Sequence, residues 1–127
     1  MYLPEQVDWS TLEEWIDRDG RAESLPEWLD KDLGVSLYED MVRMRIFDRR
    51  ATAAQRQGRL GTYAIAEGHE AVQIGTARAL AEHDFIYPGY REHGVHLSLG
   101  MPLTTILSYW RGLPNTPGIR RPIGRWW

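Results

Sequence analysis

Apolar residues recur at steps of three and four along one stretch of the chain: Leu37, Met41, Met44, Phe47, Ala51 and Ala54. That spacing lays a single stripe along a helix. Ser36 and Glu39 stand at capping-box spacing, which predicts a start at Ser36, and Gly58 offers a glycine stop. The opposite face is charged, with Arg43, Arg45, Arg49 and Arg50 among Asp40 and Asp48. The stripe reads as a packing surface, and its methionines as core filler.

The same reading divides the rest of the chain. Residues 1–35 form an arm, with a capping box at Ser10 and Glu13, helical spacing of Leu12, Trp15 and Ile16, and a turn at Asp17-Arg18-Asp19-Gly20. Its tryptophans Trp9, Trp15 and Trp28 call for a surface to pack on. Residues 61–64 read as a loop or a short extended piece. A second helix is expected from about Gly68 to Leu80, packing through a face of small residues: Ala71, Val72, Gly75, Thr76, Ala79 and Leu80. Phe85-Ile86-Tyr87 reads as a short strand followed by a Pro88-Gly89 turn. Short helices are expected over 91–99 and 102–109, the latter stopped by Gly112. Prolines and glycines break any periodicity from Leu113 onward.

Composition narrows the class. At 127 residues and 43% hydrophobic content the chain suits one globular domain. It has no cysteine, hence no disulfide framework and no thiolate metal site. No apolar run approaches a membrane span and the N-terminus lacks signal-peptide character, so the expected location is the cytoplasm. The net charge of −3 hides a gradient. Residues 1–35 hold ten acids and three bases, the middle is balanced, and residues 111–127 hold four arginines and no acid. The acidic end reads as a solvated face. Four arginines without a basic body behind them are a poor footprint for nucleic acid, and none is expected as a partner.

The candidate chemistry lies in Tyr90-Arg91-Glu92-His93-Gly94. A guanidinium offers phosphate a planar fork of donors, and an adjacent phenol adds one more. His69, Glu70 and His83 lack metal-ligand spacing on one helix face, and no metal site is expected from them. Glu70 reads as a helix-start carboxylate favoured by the dipole, and His96 as structural.

Four stretches in order carry a resemblance: residues 41–50 with Phe47-Asp48-Arg49-Arg50, residues 55–61, Gly68-His69-Glu70-Ala71 leading to Gly75, and residues 87–94. Over about residues 36–112 the chain resembles the N-terminal portion of the α subunit of the thiamine-diphosphate-dependent E1 component of 2-oxo acid dehydrogenases, the group of the pyruvate, branched-chain and acetoin enzymes. The resemblance implies an α/β thiamine-diphosphate-binding fold, present here incompletely, mostly helical with one or two short strands. It implies oxidative decarboxylation of a 2-oxo acid and acyl transfer to a lipoyl group on E2, with an E1 β subunit completing the cofactor site. It places Tyr90, Arg91 and His93 at the cofactor, with His93 orienting the site or a phosphate oxygen, and Tyr63 and Glu67 on the substrate side. Where some members carry a histidine this chain has Ala64, which leaves the choice of 2-oxo acid open. No catalytic residue is expected in this part, since the carboxylate that drives the cofactor belongs to the β subunit.

The chain also departs from the pattern. The Gly-Asp-Gly motif that binds Mg²⁺ with the diphosphate is absent, and the only asparagine is Asn115. Without those hard oxygen ligands the chain alone is expected to bind the cofactor weakly and to be inactive. The residues from Pro117 look out of frame. A shortened α subunit, a split subunit and a non-catalytic helical module docking on E1 subunits are the three readings this leaves.

Overall fold

The computed structural model describes residues 15–113 apart from 23 and 82. The expected capping box at Ser10, Trp9 and the basic tail lie outside the described residues. The chain divides into two compact units, residues 1–31 and 32–127. In the first, Asp17 organises the expected turn. Its Oδ1 accepts from the Asp19 and Arg21 backbone N–H groups at 2.9 and 2.8 Å, and Gly20 takes a φ of 79°. Trp15 and Trp28 lie with ring centroids 6.2 Å apart.

The second unit is helical: α1 (Lys31–Arg56), α2 (Glu70–Arg78), α3 (His93–Ser98) and α4 (Leu103–Trp110). The stripe of α1 is the backbone of the core. Phe47 and Ala51 pack with Leu60, Tyr63 and Ile106, while Met44 packs with Ala66, Ile74 and Leu97. Helix α1 begins five residues earlier than its capping box predicts. Ser36 lies inside it, and its hydroxyl accepts from Arg78 Nη2 at 2.7 Å. A side-chain partner on α2 replaces the helix-end N–H that a capping serine would serve. The C-terminal end matches the sequence. Arg59 N–H reaches the Ala54 carbonyl and Gly58 N–H the Gln55 carbonyl, each at 2.9 Å, with Gly58 at a φ of 71°. Gly58→Ala should cost about 1–2 kcal/mol in chemical denaturation, because a Cβ is strained in that left-handed conformation.

Helix α2 overturns the expected face. Glu70, Gln73, Ile74 and Ala77 are buried, and Ala71, Val72, Gly75 and Thr76 are exposed. Spacing alone allows either stripe. Two ion pairs to α1, Arg45 with Glu70 and Arg78 with Asp40, turn the 70/73/74/77 side inward.

The expected strand at residues 85–87 is also corrected: the described residues contain no strand. A strand exists only by pairing with a neighbour, and no described segment pairs with this one. Its alternation still orients it. Ile86 packs against Ala77 and Val95, while Phe85 and Tyr87 face outward.

Candidate functional site

Helix α2 fixes the start of α3, and with it the Tyr90–Arg91 segment. Gln73 is buried, donates through Nε2 to the Arg91 carbonyl at 3.2 Å and accepts at Oε1 from the Gly94 N–H at 2.9 Å. One amide therefore ties both ends of the motif. The approach is close because residue 94 has no side chain: a Cβ there would lie inside contact distance of Met44 Sδ and 3.0 Å from Gln73 Cβ.

The two donors of the motif lie together. The Arg91 guanidinium sits over the Tyr90 ring, 5.4 Å from its centroid, and donates through Nη1 to the Ile65 carbonyl. An arginine carries five N–H donors, so this anchor leaves most of the fork for another acceptor. Tyr90 is 65% exposed. Stacking on the ring and the Ile65 anchor restrict the guanidinium without covering the phenol.

Behind Tyr90 opens a cleft of about 230 Å³ lined by His93, His96, Ile106, Tyr109 and Trp110 among others. His93 forms the aromatic wall with Tyr63, stacked at 5.2 Å, and with Trp110, edge-on at 5.6 Å. His93 Nε2 lies 3.1 Å from the Ala64 carbonyl. A carbonyl only accepts, so Nε2 carries the proton. Burial holds the His93 pKa below 6.5 against the opposing pull of that carbonyl. The ring is therefore neutral at pH 7, with Nδ1 as its acceptor. Burial, then the neighbouring His93, lowers His96 in the same way.

Tyr63 and Glu67 sit on the loop that returns from α1 to α2. The Tyr63 hydroxyl donates to Asp48 Oδ1 at 2.9 Å, and burial followed by that bond pushes the phenol far above its usual pKa. Glu67 is paired with Arg49 at 2.9 Å and Arg45 at 3.5 Å. The structure thus gathers Tyr90, Arg91, His93 and Tyr63 around one neighbourhood through the 64–65 carbonyls, and places Glu67 on the arginine-bearing side of α1.

Glu70 opens α2 as expected and does more. Its Oε1 accepts from Arg45, and its Oε2 accepts from the Gly68 N–H at 3.0 Å. The Arg45 bond, acting against burial, draws its pKa down to about 2. Sequence reasoning missed Asp48 and Gln73. Asp48 is placed on the charged face by its chemistry, yet it is 1% exposed. Its position gave a signal, because 41, 44, 48 and 51 continue the buried stripe. Gln73 carried a similar signal at helical spacing from Glu70 and Ala77. Among the described residues no cluster of three acidic or imidazole groups is placed to hold a metal ion.

The chain matches a family model described as the dehydrogenase E1 component over residues 38–123. It is 42% identical over 100 residues to the pyruvate dehydrogenase E1 component subunit alpha of Staphylococcus epidermidis, and 40% identical over 100 residues to that of Staphylococcus aureus. Each match covers 76% of this chain and 27% of the relative, so the chain spans about a quarter of the length of the curated relatives it matches. No solved structure matches.

Proposed function

Since this chain belongs to the dehydrogenase E1 component family, we propose that it is the part of an E1 α subunit that grips the diphosphate end of thiamine diphosphate through Tyr90 and Arg91. The observation that carries this reading is the guanidinium stacked on the Tyr90 ring and anchored to Ile65, with the phenol exposed at an aromatic cleft. A diphosphate is an array of acceptor oxygens, and a phenol O–H beside an anchored guanidinium fork is a donor set that fits it. Hard oxygen ligands for Mg²⁺ are not clustered among the described residues, so the fit is to the phosphate oxygens rather than to the metal.

When bound, thiamine diphosphate supplies the electron sink for decarboxylation of a 2-oxo acid. Arg91 holds negative charge in place and Tyr90 donates one further hydrogen bond. His93, neutral and tied to the Ala64 carbonyl, orients the aromatic wall and adds no charge. Tyr63 supports the cleft from beneath by stacking on His93, and Glu67, which the family resemblance puts on the substrate side, is held by Arg45 and Arg49. The names of the relatives favour pyruvate as the 2-oxo acid, with oxidative transfer of the acyl group to a lipoyl arm on E2 and an E1 β subunit as the partner across the cofactor. The α/β fold of the family, with residues 36–112 as its N-terminal portion, provides the frame for this site. No helix among the described residues is long and apolar enough to cross a membrane.

Isothermal calorimetry tests the reading. The purified chain should bind thiamine diphosphate and Mg²⁺ more weakly than micromolar on its own. In an assembly with the β subunit, Arg91→Ala should weaken binding by about 1.5–3 kcal/mol, the worth of a hydrogen bond to a charged group. Unchanged affinity in that variant would remove Arg91 from the cofactor.

A further inference from the structure

The loop over residues 63–66 touches the Tyr90–Arg91 segment twice. The Ala64 carbonyl accepts from His93 at 3.1 Å, and the next carbonyl, Ile65, accepts from Arg91 Nη1. Both carbonyls lie between two residues held by a single carboxylate oxygen. Asp48 Oδ1 accepts from the Tyr63 hydroxyl at 2.9 Å and from the Ala66 N–H at 2.8 Å. The other oxygen, Oδ2, is buried with no hydrogen-bond partner among the described residues.

A buried carboxylate with one oxygen unmatched is an unfavourable group to fold around. An apolar side chain at this position would continue the Met44–Ala51 stripe of α1. What an apolar residue cannot do is accept from both ends of the loop. The two bonds at Oδ1 fix Tyr63 and Ala66, and therefore the direction of the two carbonyls between them.

We propose that Asp48 is a positioning residue for Arg91. By pinning Tyr63 and Ala66 it sets the Ile65 carbonyl, and that carbonyl holds the guanidinium against the Tyr90 ring. The purpose of the device rests on the diphosphate-binding reading; its geometry does not. Asp48 makes no contact with the cofactor in this scheme and acts only through the loop.

Two measurements on the full chain separate these claims. Relaxation of the ¹⁵N-labelled Arg91 Nε–H reports the order of the guanidinium, and ³¹P titration with inorganic diphosphate reports the grip. Asp48→Ala should lower the Arg91 order parameter and weaken diphosphate about tenfold, as expected for loss of one charge-assisted hydrogen bond. Asp48→Asn keeps an acceptor oxygen for both donors and should restore the Arg91 order. Tyr63→Phe removes one of the two donors and should fall between them. Asp40→Asn weakens the pairs with Arg78 and Arg43, and should leave Arg91 order untouched.

An Arg91 order parameter that stays the same in Asp48→Ala and Tyr63→Phe overturns the proposal, as does an equal fall in Asp40→Asn. If Asp48→Ala does not fold, Tyr63→Phe alone decides. If Arg91→Ala binds inorganic diphosphate as well as the unaltered chain, the diphosphate reading fails, and the order parameters still judge Asp48.

Discussion

Met44→Ala should lower stability by about 3 kcal/mol and should also make the protein tolerant of a second change that it otherwise resists. Met44 is 1% exposed and packs with Ala66, Ile74 and Leu97. Truncating a buried methionine loses its transfer free energy and leaves a cavity. That cavity faces Gly94, where an added Cβ would overlap Met44 Sδ and press on Gln73 Cβ at 3.0 Å and Oε1 at 3.1 Å. Gly94→Ala alone should therefore cost about 2 kcal/mol by overpacking. In the Met44→Ala background the sulfur is gone and only Gln73 must give way. A double-mutant cycle in urea should show a favourable coupling of about 1 kcal/mol. Simple additivity would mean that α1 and α3 do not approach as closely as described. The contact bears on function because Gln73 also holds the Arg91 carbonyl, so pressure at residue 94 reaches the proposed grip.

Acid should weaken the fold in two separate windows. His93 and His96 have folded pKa values below 6.5 because burial disfavours their charged forms. As pH falls below 6.5 the unfolded chain takes up protons first, so stability falls. Glu70 acts in the lower window. Its folded pKa of about 2 lies below the usual 4.5 because Arg45 favours the carboxylate. The stability it supplies is complete above 4.5 and is lost as pH falls toward 2. Arg45 is partly exposed, so solvent screening reduces the contribution. Thermal melts by circular dichroism should hold level above pH 6.5, decline toward pH 5, and decline again below 4.5. The stability gap between the unaltered chain and Glu70→Gln should be full at pH 6 and close to nearly nothing near pH 2. A gap independent of pH would show that Glu70 is not held as a buried anion.

These predictions all depend on groups whose partners are distant in sequence. Arg45 meets Glu70 across 25 residues, Asp40 meets Arg78 across 38, and Arg91 meets Ile65 across 26. Local pattern carries no record of such pairings. It read the small-residue stripe of α2 as the packing face, although the 70/73/74/77 stripe has the same helical spacing. The ion pairs to α1 chose between them, because turning the small-residue side inward would have left Glu70 and Arg78 without their partners.

What the sequence determined by itself was local and periodic: the stripe from Leu37 to Ala54, the glycine stop at Gly58, the turn at Asp17, the short helices after Tyr90, and the order of motifs that assigns the family. Helix periodicity and glycine conformations depend on neighbours within a few residues, so they can be read along the chain. Tertiary structure alone decided that Ser36 serves Arg78 instead of capping a helix, and that residues 85–87 stay unpaired. It also decided that Asp48, charged and placed among arginines, goes inside. A carboxylate is excluded from a core unless donors meet it there, and only the folded loop brings the Tyr63 hydroxyl and the Ala66 N–H to that place.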